Sequence, residues 1–211
     1  MVLILLGAPG AGKGTQAEYL TEALKVPVLS TGNLLREAIA QGTELGRQAS
    51  AYMDKGQLVP DGLIVDLALS KLSSEECRRG AILDGFPRTV AQAQALDARL
   101  PVDVALSIEV PDEQIVERMA GRRTCPHCQS TYHVVSNPPR AEGVCDKCGA
   151  QLGVRRDDEP ATVRQRLSVY HSQTEPVKAH YEQQHKLLCV EGVGTVAEIR
   201  QRIAGAMEAW L

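Results

Sequence analysis

The sequence has no excess of positive charge, no long apolar run, no internal repeat and no dense cysteine framework. Its 23 Lys and Arg nearly cancel 26 Asp and Glu, leaving a formal net charge of -3 and a pI near 6.0. That balance excludes the global positive field of a protein living on DNA or RNA, so any basic patch must be local. The only strongly apolar opening, Val2 to Leu6, is interrupted by Gly7, Pro9 and Lys13. It falls far short of a signal core or the roughly 20 residues of a spanning helix. The expectation is a cytoplasmic monomer without membrane or nucleic-acid partners. Six cysteines in 211 residues are too sparse for a small disulfide scaffold. Cys77 and Cys189 stand alone and are expected as small buried hydrophobes.

What is present is a globular composition. With 44% hydrophobic residues, a chain of this length can bury a sizeable core, as one large domain or one carrying small insertions. The first six residues read as a buried parallel strand ending in a glycine-rich turn, followed by a helix from about Gly12 to Leu24. Val26 to Leu29 is a second strand candidate, after which Ser30 and Thr31 can cap a helix holding Leu34, Leu35, Ala38 and Ile39 on one face. Two or three further helices run to about Ser74. Ala81 to Asp84 is a strand ending in a carboxylate, followed by the turn Gly85-Phe86-Pro87-Arg88 and a helix from Thr89 to Leu100. Val102 to Val110 is another strand, and Pro111 and Asp112 open a helix to about Arg118 whose pattern stops at Gly121.

From Arg122 to Asp158 the texture changes to cysteine, proline, glycine and β-formers such as Tyr132, Val134 and Val135, which marks an inserted module. A long helix starts at Pro160, carries Val163, Leu167, Val169 and Tyr170, and bends or breaks near Pro176. Leu187 to Val190 is the last strand and Thr195 to Leu211 the last helix. Strands alternating with helices predict an α/β fold: a parallel sheet covered on both faces, with ligands at the carboxyl ends of its strands.

Gly7-Ala8-Pro9-Gly10-Ala11-Gly12-Lys13-Gly14-Thr15 matches G-x-x-x-x-G-K, with the hydroxyl residue displaced by one because Gly14 intervenes. Glycines let successive backbone N–H groups turn inward around a phosphate, the helix N-terminus adds its dipole, and Lys13 supplies a cation for the β- and γ-phosphates. Thr15 is placed near magnesium or as a phosphate ligand. Asp84, at a strand end, suits a carboxylate that holds magnesium through water. Arg36 and Arg88 follow strand-end turns at the same edge. Arg118, Arg122 and Arg123 precede the cysteine module and Arg155, Arg156 and Arg166 follow it, so a module clamped at its base makes them converge on one site. Pairing of these arginines with Asp157 and Asp158 is the competing structural role.

Cys125-Pro-His-Cys128 and Cys145-Asp-Lys-Cys148, separated by sixteen residues, have the spacing of a closed four-cysteine zinc site. Four thiolates leave no open coordination position, so the zinc is expected to be structural. His127 is the only competing ligand within the first pair.

The glycine-rich motif, Ser30-Thr31-Gly32-Asn33-Leu34-Leu35-Arg36, Asp84-Gly85-Phe86-Pro87-Arg88-Thr89, Gly121-Arg122-Arg123 and Arg155-Arg156-Asp157-Asp158 resemble adenylate kinase signatures in adenylate kinase order. The resemblance spans residues 7 to 158. It implies a P-loop three-layer core with a five-stranded parallel sheet (1–29, 60–121 and 159–211), a helical AMP-binding insertion (30–59) and a small β-rich zinc-stapled lid (122–158). It also implies phosphoryl transfer between Mg-ATP and AMP to give two ADP, with Mg2+ and structural Zn2+.

Catalytic roles fall on Lys13, Asp84, Arg88, Arg122, Arg155 and Arg166. ATP would meet Gly10, Ala11, Gly12, Lys13, Gly14, Thr15, Arg118, Arg122, Thr131, Tyr132 and the Gly194 backbone. AMP would meet Thr31, Arg36, Gln57, Leu58, Val59, Gly85, Phe86, Pro87, Arg88 and Gln92, with Arg155 and Arg166 near the phosphates. Gln92 would offer a donor and an acceptor to the adenine edge. Two positions depart from the pattern: Asn33 stands where many relatives carry Asp, and Gly194 where some carry Lys.

Two alternatives are another nucleoside monophosphate kinase, such as a UMP/CMP kinase, and a nucleotide-switched zinc ribbon that binds nucleic acid. The second is disfavoured because residues 122–158 hold six Lys and Arg against four Asp and Glu and a single aromatic, Tyr132.

Overall fold

The computed structural model describes residues 1–211. Its centre is β1 (Val2–Leu6), buried at all five positions as a strand covered on both faces must be. Leu3 and Leu5 enter one apolar cluster, while Val2, Ile4 and Leu6 enter the other. The clusters hold 20 and 19 buried residues, so the two faces of the sheet are covered about equally. β1 pairs in parallel with β3 (Ala81–Asp84) on one side and β4 (Val104–Glu109) on the other. β2 (Val28–Ser30) and β7 (Leu187–Glu191) form the edges, giving the order β2-β3-β1-β4-β7.

Helices close both faces. The first cluster takes Leu20 of α1 (Lys13–Leu24), Ile115 of α6 (Asp112–Gly121), Val163 of α7 (Pro160–Val169) and Ile203 of α9 (Val196–Ala206). The second takes Leu35 of α2 (Thr31–Ala40), Ala49 of α3 (Glu44–Met53), Ile64 of α4 (Asp61–Leu72), Leu96 of α5 (Val90–Asp97) and Tyr181 of α8 (Pro176–Glu182). Their starts are set locally. Thr43 and Thr89 accept hydrogen bonds from the N–H groups of Gly46 and Gln92, and Thr195 with Glu198 forms a capping box. Residues 122–158 stand apart as a two-stranded antiparallel ribbon, β5 (Arg122–Thr124) with β6 (Thr131–His133), extended by turns and three isolated bridges.

Several elements differ from the sequence reading. β2 begins only at Val28, because Pro27 has no N–H to give the ladder, although its carbonyl accepts from Ile82. Of the four apolar residues expected on one face of α2 only Leu35 is buried, and Leu34, Ala38 and Ile39 are half-covered. The small module is less β-rich than expected, since Val134 and Val135 lie in a turn and Val135 is exposed. α6 continues to Gly121, whereas α9 ends at Ala206. The long helix after Pro160 is interrupted by a π-helical turn at Tyr170–Thr174, ahead of Pro176, which opens α8 where a missing N–H costs nothing. Cys77 is buried as expected but Cys189 is exposed, because β7 is an edge strand with one side open.

The pair α2–α3 approaches so closely that a Cβ on buried Gly46 would sit 2.2 Å from the Ala38 carbonyl oxygen. Backbone cannot yield as a side chain can, so Gly46→Ala should lower unfolding free energy by about 2 kcal/mol, within the range of overpacked sites. Gly62, in α4 with nothing within 4 Å, should accept Ala neutrally or with a gain of up to about 1 kcal/mol. Urea titration of the two variants checks the contrast, and equal midpoints would show that α2 and α3 part without cost.

Candidate active site

Five parallel strands deliver their carboxyl ends to one edge of the sheet, where a cleft of about 820 Å³ opens. β1 runs into the Gly7–Gly12 turn, and Gly12 caps α1 with φ 98, a left-handed conformation that glycine adopts without strain. At Gly7, φ is +133 and a Cβ would stand 2.6 Å from the Ile108 carbonyl, so the turn needs glycine for space as well as for conformation. Lys13 folds back over this loop, its Nζ donating to the carbonyls of Gly7 at 2.7 Å and Ala8 at 2.9 Å. Burial pulls its pKa down to about 8, opposed by Asp84 and reinforced by Arg88, Arg166 and Arg122.

The flank built from β2, β3 and α5 is a hydrogen-bonded turn. Thr31 Oγ1 and Arg88 Nε both donate to the Gly85 carbonyl, at 2.8 and 2.7 Å. Phe86 is buried in the core behind it, and Gln57, Leu58, Val59 and Pro87 line the cleft. Arg36 donates to Asn33 Oδ1 at 2.7 Å, so the side chain at position 33 accepts a hydrogen bond without adding a negative charge.

Gln92 is partly committed within the chain. It lines the cleft but is only 1% exposed, its Oε1 accepts from the Arg88 N–H at 2.7 Å, and its Nε2 donates to Asp61 Oδ1 at 2.6 Å. Half of its hydrogen-bonding capacity is thus spent bracing the turn, leaving one N–H and one lone pair.

On the opposite flank Arg118 donates to the Gly192 carbonyl at 2.8 Å, and Thr131, Tyr132 and Gly194 line the wall. Gly194 has φ +119, so a lysine there would strain this backbone.

Between the flanks, Lys13, Arg36, Arg88, Arg122, Arg155 and Arg166 share the space with only Asp84, Asp157 and Asp158 as counter-charges. Asp158 is buried and accepts a forked pair of hydrogen bonds from Arg122. Asp157 pairs with Arg166 at 2.8 Å. Burial favours a neutral Asp157, yet Arg166, Arg36, Arg122 and Arg155 hold its pKa below the usual range. Burial lowers Arg36, Arg88, Arg155 and Arg166, and neighbouring cations add to this at Arg36, Arg155 and Arg166. Guanidinium stays protonated in proteins, so these directions mark positive charge held out of water, with other cations close by at Arg36, Arg155 and Arg166. The Nε atoms of Arg36 and Arg155 are buried without any partner. Orphaned cationic donors around a glycine-rich turn are an anion site by construction.

At the outer lip the ligand sulfurs of Cys125, Cys128, Cys145 and Cys148 all lie within 4.8 Å of one another, and two of the separations are 3.4 and 3.5 Å. A tetrahedron of thiolates at about 2.3 Å from zinc has edges of about 3.8 Å, so the donor set fits a four-thiolate metal. The hydroxyl of Tyr132 contacts Cys145 Sγ at 3.5 Å and accepts from the Asp146 N–H at 2.9 Å. Tyr132 therefore joins the cysteine cluster to the cleft wall. His127 is exposed and outside the cluster.

The profile of the family described as adenylate kinase matches residues 5–186. The chain belongs to the adenylate kinase family. It is 50% identical to the adenylate kinase of Caldicellulosiruptor bescii over 98% of this chain and 99% of that one. Identity to the adenylate kinase of Thermodesulfovibrio yellowstonii is 49% over 99% of each chain, and to that of Streptomyces griseus 47% over 99% and 98%. The protein is an enzyme, an ATP:AMP phosphotransferase.

Within this adenylate kinase the expected arginines do not all converge. Arg122 and Arg155 line the cleft, whereas Arg123 donates to the carbonyls of Ala120 and Arg122 and Arg156 is exposed. Arg122 and Arg123 are successive residues of β5 and so point to opposite faces, whereas Arg155 is the extended residue that caps a short 3-10 helix beginning at Arg156. Asp61 was missed altogether, because in the sequence it is simply an acidic residue at the start of a helix. A second unanticipated contact joins the cysteine module to α1, where Lys147 Nζ meets Glu18 at 2.7 Å with both side chains more than half exposed.

The depressed Lys13 makes a pH-dependent prediction. A polyphosphate beside it favours the charged form and raises its pKa, so ATP binding above about pH 8 should take up a proton, whereas near pH 7 the lysine is already charged. Calorimetry in buffers of different ionisation heat should show uptake growing from pH 7 to about 8.5, and Lys13→Arg should abolish it, since arginine does not titrate there. Uptake unchanged in that variant would assign the proton to another group.

Proposed function

We propose that the β2–β3 flank is the AMP half of the site and the Arg118–Gly194 flank the ATP half, with the transferring phosphoryl group between them. ATP phosphates would lie on Gly10 to Thr15, with Lys13 leaving its carbonyl contacts for the β- and γ-phosphates. AMP would be held by Thr31, Arg36, Arg88 and Gln92, against Gln57, Leu58, Val59 and the Gly85–Pro87 turn. Arg122, Arg155 and Arg166 would spread positive charge around the three equatorial oxygens in flight. The acceptor is a phosphate oxygen, largely ionised at neutral pH, so no general base is assigned. The observation that carries this reading is the set of buried, undercompensated cations with partnerless Nε atoms at Arg36 and Arg155.

Thr15 and the Asp84 carboxylate are the groups we assign to Mg2+, which neutralises charge on the β- and γ-phosphates when bound. Residues 30–59 would act as the AMP-binding insertion and 122–158 as a lid that excludes water, on a core of 1–29, 60–121 and 159–211. No helix is long and apolar enough to cross a membrane. We place the enzyme in the cytoplasm, where four free thiols persist to bind metal.

Arg88→Ala tests the partition. Loss of a guanidinium that meets only the acceptor should raise KM for AMP and lower kcat/KM by at least about a hundredfold, while Kd for ATP changes little, since buried charge-assisted contacts cost about 3 kcal/mol or more. Equal losses for both nucleotides would remove the division into halves.

The four-cysteine cluster is assigned a structural zinc. The module's own core is only Cys125, Tyr132 and Cys145, too little to hold 37 residues together without a staple. Chelation, or Cys145→Ser with Cys148→Ser, should lower Tm and loosen the module, yet metal-free protein kept folded at low temperature should still form ADP. Metal content and activity followed together during slow zinc removal decide this. Activity falling in strict proportion to zinc while circular dichroism holds steady would assign zinc a catalytic role.

A further inference from the structure

We propose that Asp61 is a positioning residue that sets selectivity for the acceptor base, by fixing which way round the Gln92 amide is held. This rests on the reading above that Gln92 faces the base of the acceptor nucleotide.

A glutamine amide has two nearly isosteric ends, and only its partners decide which is oxygen and which is nitrogen. Here both ends are decided independently. The backbone N–H of Arg88 can only donate, and it meets Gln92 Oε1 at 2.7 Å. The Asp61 carboxylate can only accept, and it receives Gln92 Nε2 at 2.6 Å. Reversing the amide would set N–H against N–H at one end and oxygen against carboxylate at the other. The second Asp61 oxygen accepts from Thr89 Oγ1 at 3.0 Å, and that hydroxyl oxygen accepts from the Gln92 backbone N–H at 3.1 Å. Asp61, at the first position of α4, therefore grips the start of α5 and the tip of Gln92 together.

The groups left on the amide, one N–H and one lone pair, then have a fixed order. A 6-aminopurine presents a ring-nitrogen acceptor beside an exocyclic N–H donor, and a 6-oxopurine presents a donor beside an acceptor. The same amide reads one when held as found and the other when reversed. Asp61 is not among the residues lining the cleft, so its influence on the base passes through Gln92.

The test measures kcat/KM with AMP and with inosine monophosphate at saturating Mg-ATP, for wild type, Asp61→Asn, Asp61→Ala and Gln92→Ala. The ratio of the two values is taken within one preparation, so partial unfolding of a variant cancels. Asp61→Ala should lower the AMP-to-IMP ratio by about tenfold or more, as expected on losing a hydrogen bond to a charged group, mainly through KM for AMP and with KM for ATP unchanged. Asp61→Asn keeps the shape but can face either end of the amide, and should move the ratio in the same direction by less. If IMP turnover by wild type is below detection, that limit serves as the lower bound the Asp61→Ala ratio must fall beneath. A wild-type ratio in both Asp61 variants, alongside a collapsed ratio in Gln92→Ala, would overturn the proposal alone. A wild-type ratio in Gln92→Ala would overturn the assignment of Gln92 to the base, and the proposal with it.

Discussion

Positive charge cannot be kept in a protein interior without a partner, and the cleft of this enzyme holds more of it than the chain neutralises. At its centre Asp84, Asp157 and Asp158 lie among Lys13 and five arginines, and the Nε atoms of two guanidinium groups have no partner. A buried, unpaired charge costs several kcal/mol, so such an arrangement is tolerable only if an anion completes it during the working cycle. The fold exists to hold the deficit in place. Parallel pairing brings Lys13, Thr31 and Asp84 to one edge, and the Asp158 fork anchors Arg122 across thirty-six residues. Placing charge beforehand means that little reorganisation remains when the phosphoryl group moves, the condition under which electrostatics accelerates a reaction most.

The two flanks differ in rigidity. On the β2–β3 side, Thr31, Arg88, Gln92, Thr89 and Asp61 form a continuous hydrogen-bonded chain tied to the core through Phe86. On the opposite wall the corresponding surface belongs to a module with a three-residue core, held by a cysteine cluster and a ribbon of two three-residue strands. Segments with few buried apolar contacts open at low free energy, so motion is expected to concentrate in the module and to spare the Gly85–Arg88 turn.

The parts of this architecture legible in the sequence were those whose chemistry is set by local spacing. The glycine-rich turn, each C-x-x-C pair and the apolar runs of β1, β3 and β4 are short contiguous stretches of sequence. What stayed hidden depends on distant pairing. Asp61 and Gln92 are 31 positions apart, and nothing near either one announces the other. The late start of β2, just after Pro27, and the divergence of Arg122 from Arg123 were readable from proline's missing donor and from strand alternation, but the apolar run and the cluster of charge masked them. Exposed Cys189 was misjudged because burial statistics for cysteine do not distinguish an edge strand from a central one.

The Lys147–Glu18 contact between the cysteine module and α1 differs in kind from the charges inside the cleft. Its partners are solvated, so its strength is set by the medium, with a screening length of about 8 Å at physiological ionic strength. The Arg122–Asp158 and Arg166–Asp157 pairs are largely buried and are screened much less. Ionic strength therefore acts selectively on this enzyme, loosening the tether between module and core more than the buried ion pairs that hold Arg122 and Arg166.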